Sequence, residues 1–433
     1  MIRMDKIDKI ISPKWQFNQK NNALVEDHSI VIDGNIIKDI LPTNQVHNKY
    51  RANEHIVLID HLIIPGLINS FNDSSLILFQ DINKRQNNNI KSYNIFKNQM
   101  VNNEHRDISS AVRCIEMIKN GITTFCDHGI FPESMIDQTL RAKLRGNIGL
   151  EIQKQRTNWA INENQCLDKA LRVFDQYSNN PDIKFFFNPI SIDHVSTKML
   201  KKISKISNEL DISLRMNVNS SELEIQKCIE NHKCRPIEYL EKMDILDNEF
   251  TALNVSNLNQ KDIEILKMYK SNIVINKSIN ISIKNMYIKD ILDNNINMML
   301  SSGSMINNIN LDMLDEVSNF SLLSNIKKYG MDTASLFNLI TVNSAQSLGV
   351  GENIGLLSKG YLADLVSIDI KDIMKLSSVK FDGIENKLKS SNIKNVWIAG
   401  RQIMKNKKIL TVAEDKIYTK FRSIKKQVIK HEY

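Results

Sequence analysis

Along the middle of the chain, short apolar runs alternate with longer segments in which apolar residues recur every three or four positions. The runs have the length of strands and read HLIIPGLIN, ITTFCD, GNIGLEI, IKFFFNP, ISLRMNV, FTALNV, NIVIN and INMMLSS. The segments between them, such as HVSTKMLKKISKISNEL, have the spacing of amphipathic helices. Eight such units in succession predict an α/β fold, a (β/α)8 TIM barrel with a parallel sheet.

Both ends of the chain have a different pattern, in which apolar and polar residues alternate between turn glycines. HSIVIDGNIIKDIL predicts a hairpin with Asp33-Gly34 at its turn, and GYLADLVSIDI and NVWIAGRQIMKNKK near the other end resemble it. We therefore expect a small β-sandwich domain built from residues 1–62 plus 355–433, and a barrel of residues 63–354. The segment QDINKRQNNNIKSYN, which begins at Gln80, is predicted to be a mobile loop over the barrel mouth.

Composition narrows the classes of function. The net charge is +8, but Lys and Arg are spread over all 433 residues without a dense block, which argues against nucleic-acid binding. No apolar run approaches the roughly 18 residues that cross a bilayer, so no membrane association is expected. The five cysteines form no CxxC pair, and their odd number argues against a disulfide framework. These features predict a cytoplasmic protein with reduced thiols.

Several separate segments resemble one family. They include IIPGLIN, GITTFCD, CRPIEYLEKMDIL, TVNSAQSLGV, IGLLSKGYLADLVSID and VWIAGRQIMK, and they are spread over nearly the whole length. Through them the chain resembles the amidohydrolase superfamily, in particular the 5′-methylthioadenosine/S-adenosylhomocysteine deaminases and the related triazine hydrolases. The resemblance implies a hydrolase of C–N bonds, a small purine-like ligand and a homodimer, since isologous dimers are the commonest assembly.

The metal ligands of that family are replaced here. In the family, His-x-His follows the Pro-Gly-Leu-Ile-Asn strand, and the corresponding residues are Phe71 and Asp73. The ligand His of the fifth strand falls on Asn217, and that of the sixth strand falls on Asn254. The metal-contacting Asp of the eighth strand falls on Gly303.

The catalytic and substrate-binding residues of the family are replaced as well. The catalytic Glu falls on Ser220, and the substrate-binding His residues after strands four and seven fall on Ile190 and Ile275. The resemblance therefore implies a degenerate site with no catalytic residue and no metal ligand of the family retained.

These substitutions matter because a catalytic zinc ion needs about three protein donors and an open position for water. Phe71 offers no lone pair and Gly303 offers no side chain. The amides of Asn217 and Asn254 replace imidazole poorly, although they allow amide-to-amide hydrogen bonds without a cation. The sequence therefore predicts a pseudoenzyme without a cofactor.

One alternative uses other residues. Asp73, Asp127, His128 and His194 are all predicted near the C-terminal ends of strands one, two and four. A rearranged site built from them would hold one divalent ion, zinc or iron, and would support an active hydrolase or deaminase.

Overall fold

The structure is a computed structural model that describes residues 4–79, 102–276, 287–303, 311–376 and 383–430. The predicted mobile loop that begins at Gln80 lies outside these residues.

The strands fall into three groups along the chain. The first group is β1 (Asp5–Asn18), β2 (Ala23–Glu26), β3 (His28–Asp33), β4 (Ile36–Pro42) and β5 (Tyr50–Pro65). The second is β6 (Leu67–Asn72), β7 (Ile122–Asp127), β8 (Arg145–Ile152), β9 (Ile183–Pro189), β10 (Ser213–Asn217), β11 (Thr251–Leu253), β12 (Asn272–Asn276) and β13 (Met298–Ser301). The third is β14 (Leu365–Asp369), β15 (Ile393–Ile398), β16 (Arg401–Lys405) and β17 (Lys408–Ile409).

Helices lie between strands throughout the chain, most of them within the second group of strands or directly after it. Up to β11 they are α1 (Thr43–Lys49), α2 (Asn103–Lys119), α3 (Pro132–Ala142), α4 (Glu163–Tyr177), α5 (Thr197–Leu210), α6 (Glu222–His232) and α7 (Pro236–Lys242). After β11 they are α8 (Gln260–Tyr269), α9 (Ile288–Asp293), α10 (Met313–Lys327), α11 (Thr333–Asn338), α12 (Val342–Ser347), α13 (Lys371–Leu376) and α14 (Glu414–Lys430). Short 3-10 turns include Ile192–His194, between β9 and α5.

Local sequence signals set where these helices begin. The Ser196 side chain accepts a hydrogen bond from the Met199 amide at the start of α5. Asn259 and Asp262 form a capping box at the start of α8. Each cap satisfies backbone N–H groups that have no partner within the helix, which stabilises a helix start by about 1 kcal/mol.

The two chain ends share one nine-stranded sheet, in the order β17-β16-β15-β14-β5-β1-β3-β4, with β2 paired to β1. The long strand β5 joins the ends because it runs parallel to β1 and antiparallel to β14. The hairpin of β3 and β4 is confirmed, with Asp33 paired to Ile36 and Gly34 at a φ of +61°. The predicted β domain built from both chain ends is therefore confirmed.

The barrel is an eight-stranded sheet in the order β13-β12-β11-β10-β9-β8-β7-β6, and helices follow its strands. From β8 to β13, each strand pairs in parallel with the next. The predicted (β/α)8 TIM barrel is confirmed, and seven of its strands coincide with the predicted apolar runs.

The first predicted run, HLIIPGLIN, is not a single barrel strand. It contributes to both sheets, since β5 ends at Pro65 and β6 begins at Leu67. The amide of Gly66 donates to the Asp364 carbonyl, whereas the amide of Leu67 donates to Gly121 just before β7. A Cβ atom at Gly66 would overlap the Thr123 side chain, so only glycine fits where the chain changes sheets.

The chain divides into two compact units. One consists of Met1–Asn69, Ile115–Thr124 and Leu311–Val412, and the other of Ser70–Cys114, Phe125–Asn310 and Ala413–Tyr433. The domain limits expected from the sequence, 1–62 plus 355–433 and 63–354, stay a prediction. Among the described residues, no helix combines the length and apolar character needed to cross a membrane.

Candidate functional site

Phe71, at the first ligand position implied by the resemblance, is buried near the C-terminal end of β6. Its ring packs against Leu253, Val274 and Met299, which come from β11, β12 and β13. Since β6 and β11 are not neighbours in the sheet, this contact places the ring inside the barrel. An apolar cluster therefore occupies the barrel interior at this position.

His128 lies on the other side of this cluster, directly after β7. Its ring stacks on Phe71 at 4.4 Å between centroids and also contacts the ring of Phe186 at 4.7 Å. Its Nδ1 lies 3.3 Å from the Asn188 Oδ1, whereas its buried Nε2 has no hydrogen-bond partner among the described residues. Burial, and then the positive charge of Arg215, lower the pKa of His128 to about 3. The imidazole is therefore neutral at neutral pH.

Asp127 ends β7 and holds the loop that follows β6. Its carboxylate accepts hydrogen bonds from the Asn72 side chain at 2.6 Å and from the amide and hydroxyl of Ser74 at 3.0 Å each. The Asn72 Oδ1 in turn accepts a hydrogen bond from the buried Arg113 at 2.9 Å. Burial, and then the negative charge of Asp73, raise the pKa of Asp127 to about 7. This carboxylate is thus engaged in positioning the loop.

The two asparagines at the ligand positions of β10 and β11 bond to each other. The Asn254 amide donates to the Asn217 Oδ1 at 2.6 Å. The Asn217 amide donates to the Ile190 carbonyl at 2.8 Å. This is the amide-to-amide hydrogen bonding that the sequence allowed, and it satisfies these polar groups without a cation.

Ser220, at the position of the family's catalytic Glu, binds a carboxylate that sequence reasoning missed. The buried Glu224 accepts hydrogen bonds from the Ser220 amide at 2.8 Å and from its hydroxyl at 2.6 Å. Burial raises the pKa of Glu224, although the bonds from Ser220 oppose this effect. The signal was the Ser-x-x-Glu pattern from Ser221 to Glu224 at the start of α6, which is typical of a helix cap. Here the carboxylate bonds to the residue before the cap.

Ile275 and Gly303 lie on the last two barrel strands or just after them. Ile275 is fully buried within β12 and pairs in register with Leu300. Gly303 follows β13 with a φ of +75°, in the left-handed region that favours glycine. Neither residue offers a side chain that binds a metal or a polar substrate.

The alternative ligand set does not assemble. Within the described ranges, no three His, Cys, Asp or Glu side chains are grouped so that they could hold a metal ion. The set predicted from the sequence was Asp73, Asp127, His128 and His194. Of these, His194 lies in the 3-10 turn before α5, where its Nδ1 is 2.7 Å from the Ser191 hydroxyl.

The segments of the barrel that the structure does not describe contain few further side chains that could bind a metal ion. By sequence, residues 80–101, 277–286 and 304–310 contain Asp81 as their only Asp, Glu, His or Cys. At the positions of the family's ligands, Asp73 is the one residue with a side chain of the imidazole, thiolate or carboxylate type that zinc takes. A single donor does not fit a zinc ion, which needs about three from the protein.

The sequence profile of the amidohydrolase family matches residues 62–403. A 5-methylthioadenosine/S-adenosylhomocysteine deaminase from Saccharophagus degradans is 23% identical over 426 residues, which cover 95% of each chain. A 5′-deoxyadenosine deaminase from Methanobrevibacter smithii is 25% identical over 378 residues, which cover 83% of this chain and 85% of the relative.

Solved structures agree in fold. An adenosine deaminase from Xanthomonas campestris with bound zinc superposes with a TM-score of 0.91 at 17% identity, covering 99% of this chain and 100% of the other. The atrazine chlorohydrolase from Arthrobacter aurescens, also with zinc, gives a TM-score of 0.83 at 14% identity over 96% of this chain and 100% of its own. With a family profile that matches most of its length, the chain belongs to the amidohydrolase family.

Proposed function

We propose that this protein is a non-catalytic member of the amidohydrolase family, which keeps the fold of its deaminase relatives but does not perform metal-dependent deamination. The observation that carries the proposal is the position of Phe71. Its ring packs with three apolar side chains inside the barrel and stacks on a neutral His128. Apolar atoms thus lie where the resemblance implies a metal ligand.

The neighbouring polar groups support the same conclusion. The Asn254 amide donates a hydrogen bond to the Asn217 Oδ1, and the Asn217 amide donates one to the Ile190 carbonyl. Without a bound ion, the pKa of water stays far above neutral instead of falling to about 7, so hydroxide is scarce at neutral pH. The nucleophile of a hydrolytic deamination is therefore not generated at these positions.

A residue able to transfer a proton is also missing at the position of the family's catalytic Glu. Ser220 has no titratable side chain near neutral pH, and the Glu224 Oε2 accepts both hydrogen bonds that Ser220 offers. A carboxyl group with a raised pKa is able to move a proton, but it does not replace the ion that activates water. We propose that Glu224 fixes the loop after β10.

The proposal is tested by a deamination assay with 5′-methylthioadenosine, adenosine and S-adenosylhomocysteine in the presence of added zinc. The Saccharophagus degradans relative, produced in the same host, serves as the active reference. We expect turnover by the relative and none by this chain. The proposal fails if the chain deaminates any of the three and if Asp73→Asn or His194→Gln abolishes that activity, because a contaminating enzyme would not respond to either change.

A further inference from the structure

An open cleft of about 620 Å³ lies at the rim of the barrel. One wall follows β8 at Lys154, a second is the segment from Ile192 to Thr197 after β9, and a third is the later part of α6. Segments that follow barrel strands form the C-terminal face, where barrel proteins bind their ligands. A volume of this size lies within the range of small-molecule sites, which is about 300–1,000 Å³.

The His194 ring and the backbone of the first two walls are held in place by hydrogen bonds. The His194 ring is oriented by the Ser191 hydroxyl, 2.7 Å from its Nδ1. The amide of Lys154 donates to the His194 carbonyl at 2.7 Å, which ties the loop after β8 to the 3-10 turn. The two walls therefore keep a fixed relation to each other.

The third wall is fixed by aromatic and hydroxyl contacts. The His232 ring stacks on Tyr239 with 4.0 Å between centroids. The Tyr239 hydroxyl lies 2.8 Å from the Thr197 hydroxyl at the start of α5. Both imidazoles that line the cleft are thus positioned by neighbours, and such preorganisation reduces the ordering cost when a ligand binds.

The charges that line the cleft are mainly positive. Lys154 and Lys227 contribute two ammonium groups, and His194 and His232 add two imidazoles that can donate hydrogen bonds. The carboxylate that lines the cleft is Asp193, 3.7 Å from the Lys227 Nζ. A concave surface with an excess of one charge concentrates the electrostatic field and attracts ions of the opposite sign.

We infer that this cleft binds a small molecule through an anionic group, either a phosphate or a carboxylate. Ammonium groups, imidazoles and the Thr197 hydroxyl supply the donors that such a group accepts. The lining of the cleft contains none of the residues described in the barrel interior, which are Phe71, His128, Asn217 and Asn254. The inference does not depend on the loss of deamination.

The test follows the ring signals of ¹³C-labelled histidines by NMR during titration with inorganic phosphate and, separately, with succinate at constant ionic strength. The chain has nine histidines, so those outside the cleft serve as internal references. His194→Gln and His232→Gln assign the two cleft signals. We expect these two signals to shift saturably, and the anion that shifts them at the lower concentration identifies the phosphate or the carboxylate as the preferred group.

Three variants test the electrostatic basis. Lys227→Gln should weaken binding roughly fivefold, and Asp193→Asn should tighten it by a similar factor, as expected for one charge a few ångströms away in water. Both changes break the same ion pair, so a merely structural effect would act in the same direction in both. Lys205→Gln, an exposed lysine of α5 outside the lining, should leave binding unchanged. The inference is wrong if neither anion gives a saturable shift, or if the Lys227 and Asp193 variants weaken binding alike.

Discussion

Two regions of the C-terminal face of the barrel differ in kind. In the interior, Phe71 packs against apolar residues of β11 to β13, and the two asparagines bond to each other. At the rim, an open cleft keeps lysines and histidines around a volume of about 620 Å³. The first region is packed and hydrogen-bonded within itself, whereas the second presents charged side chains to an open volume.

The two regions lie in the same barrel but present different side chains. The barrel superposes closely on zinc-containing relatives, although the identity with them is low. Function resides in particular side chains rather than in the barrel itself. Changes in the interior should therefore affect stability, whereas changes at the rim should affect ligand binding.

The largest effect is expected from Phe71→Ala. Removing a buried aromatic ring that packs against three strands leaves a cavity and typically costs about 3–5 kcal/mol. Urea denaturation measures the free energy of unfolding, and Ile326→Ala, at a residue that is 76% exposed on α10, is the control. A loss below about 1 kcal/mol, comparable to that of a surface substitution, would show that the ring does not fill the interior.

Asp127→Asn should change how stability depends on pH. The pKa of Asp127 is raised to about 7 from an ordinary 3.8, so between these values the folded chain holds a proton that the unfolded chain has released. The contribution of this group to stability therefore falls as the pH rises through that window. Relative to the unmodified chain, the variant should gain stability from pH 4.5 to pH 7, by up to about 1.4 kcal/mol per unit of pKa shift.

His128→Gln should change the pH dependence of stability in the opposite direction, which sharpens the same experiment. The pKa of His128 is lowered to about 3 from 6.5, so its contribution to stability is complete above the unfolded value and is lost as the pH falls. This variant should gain stability relative to the unmodified chain as the pH is lowered from 6.5 to 4.5. If the stability of both variants changed in the same direction with pH, this would contradict a raised pKa at Asp127 and a lowered pKa at His128.

Asn217→Ala should cost about 1–3 kcal/mol, because the partly buried Asn254 donor and the Ile190 carbonyl lose a partner. The additional loss in the double variant with Asn254→Ala should be smaller than the loss from Asn254→Ala alone, since the shared bond is already gone. Strict additivity of the two losses would show that the amides do not interact.

The smallest effect on stability is expected in the cleft. Lys227 pairs with Asp193 at 3.7 Å and half of its side chain is exposed, so Lys227→Gln should change the free energy of unfolding by less than about 1 kcal/mol. A loss as large as that of Phe71→Ala would remove the distinction between the two regions.

Periodicity was enough to predict the barrel, because eight strand-length runs separated by helical patterns favour one topology. It did not show that HLIIPGLIN is divided between two sheets, since the division depends on the close approach of Thr123 to Gly66. The resemblance located Phe71 and the asparagines, but their contacts depend on tertiary packing. Glu224 was missed because the Ser-x-x-Glu pattern around it is typical of a helix cap. The cleft was missed because side chains from separate segments meet there.

The central claim is that the barrel interior no longer holds a catalytic metal ion. Elemental analysis of the protein, purified without chelators from cells grown with added zinc and iron, tests it most directly. We predict far less than one zinc or iron ion per chain, since Phe71, Asn217, Asn254 and Gly303 offer neither imidazole nor carboxylate. About one ion per chain that survives dialysis and is lost in Asp73→Asn would contradict this account.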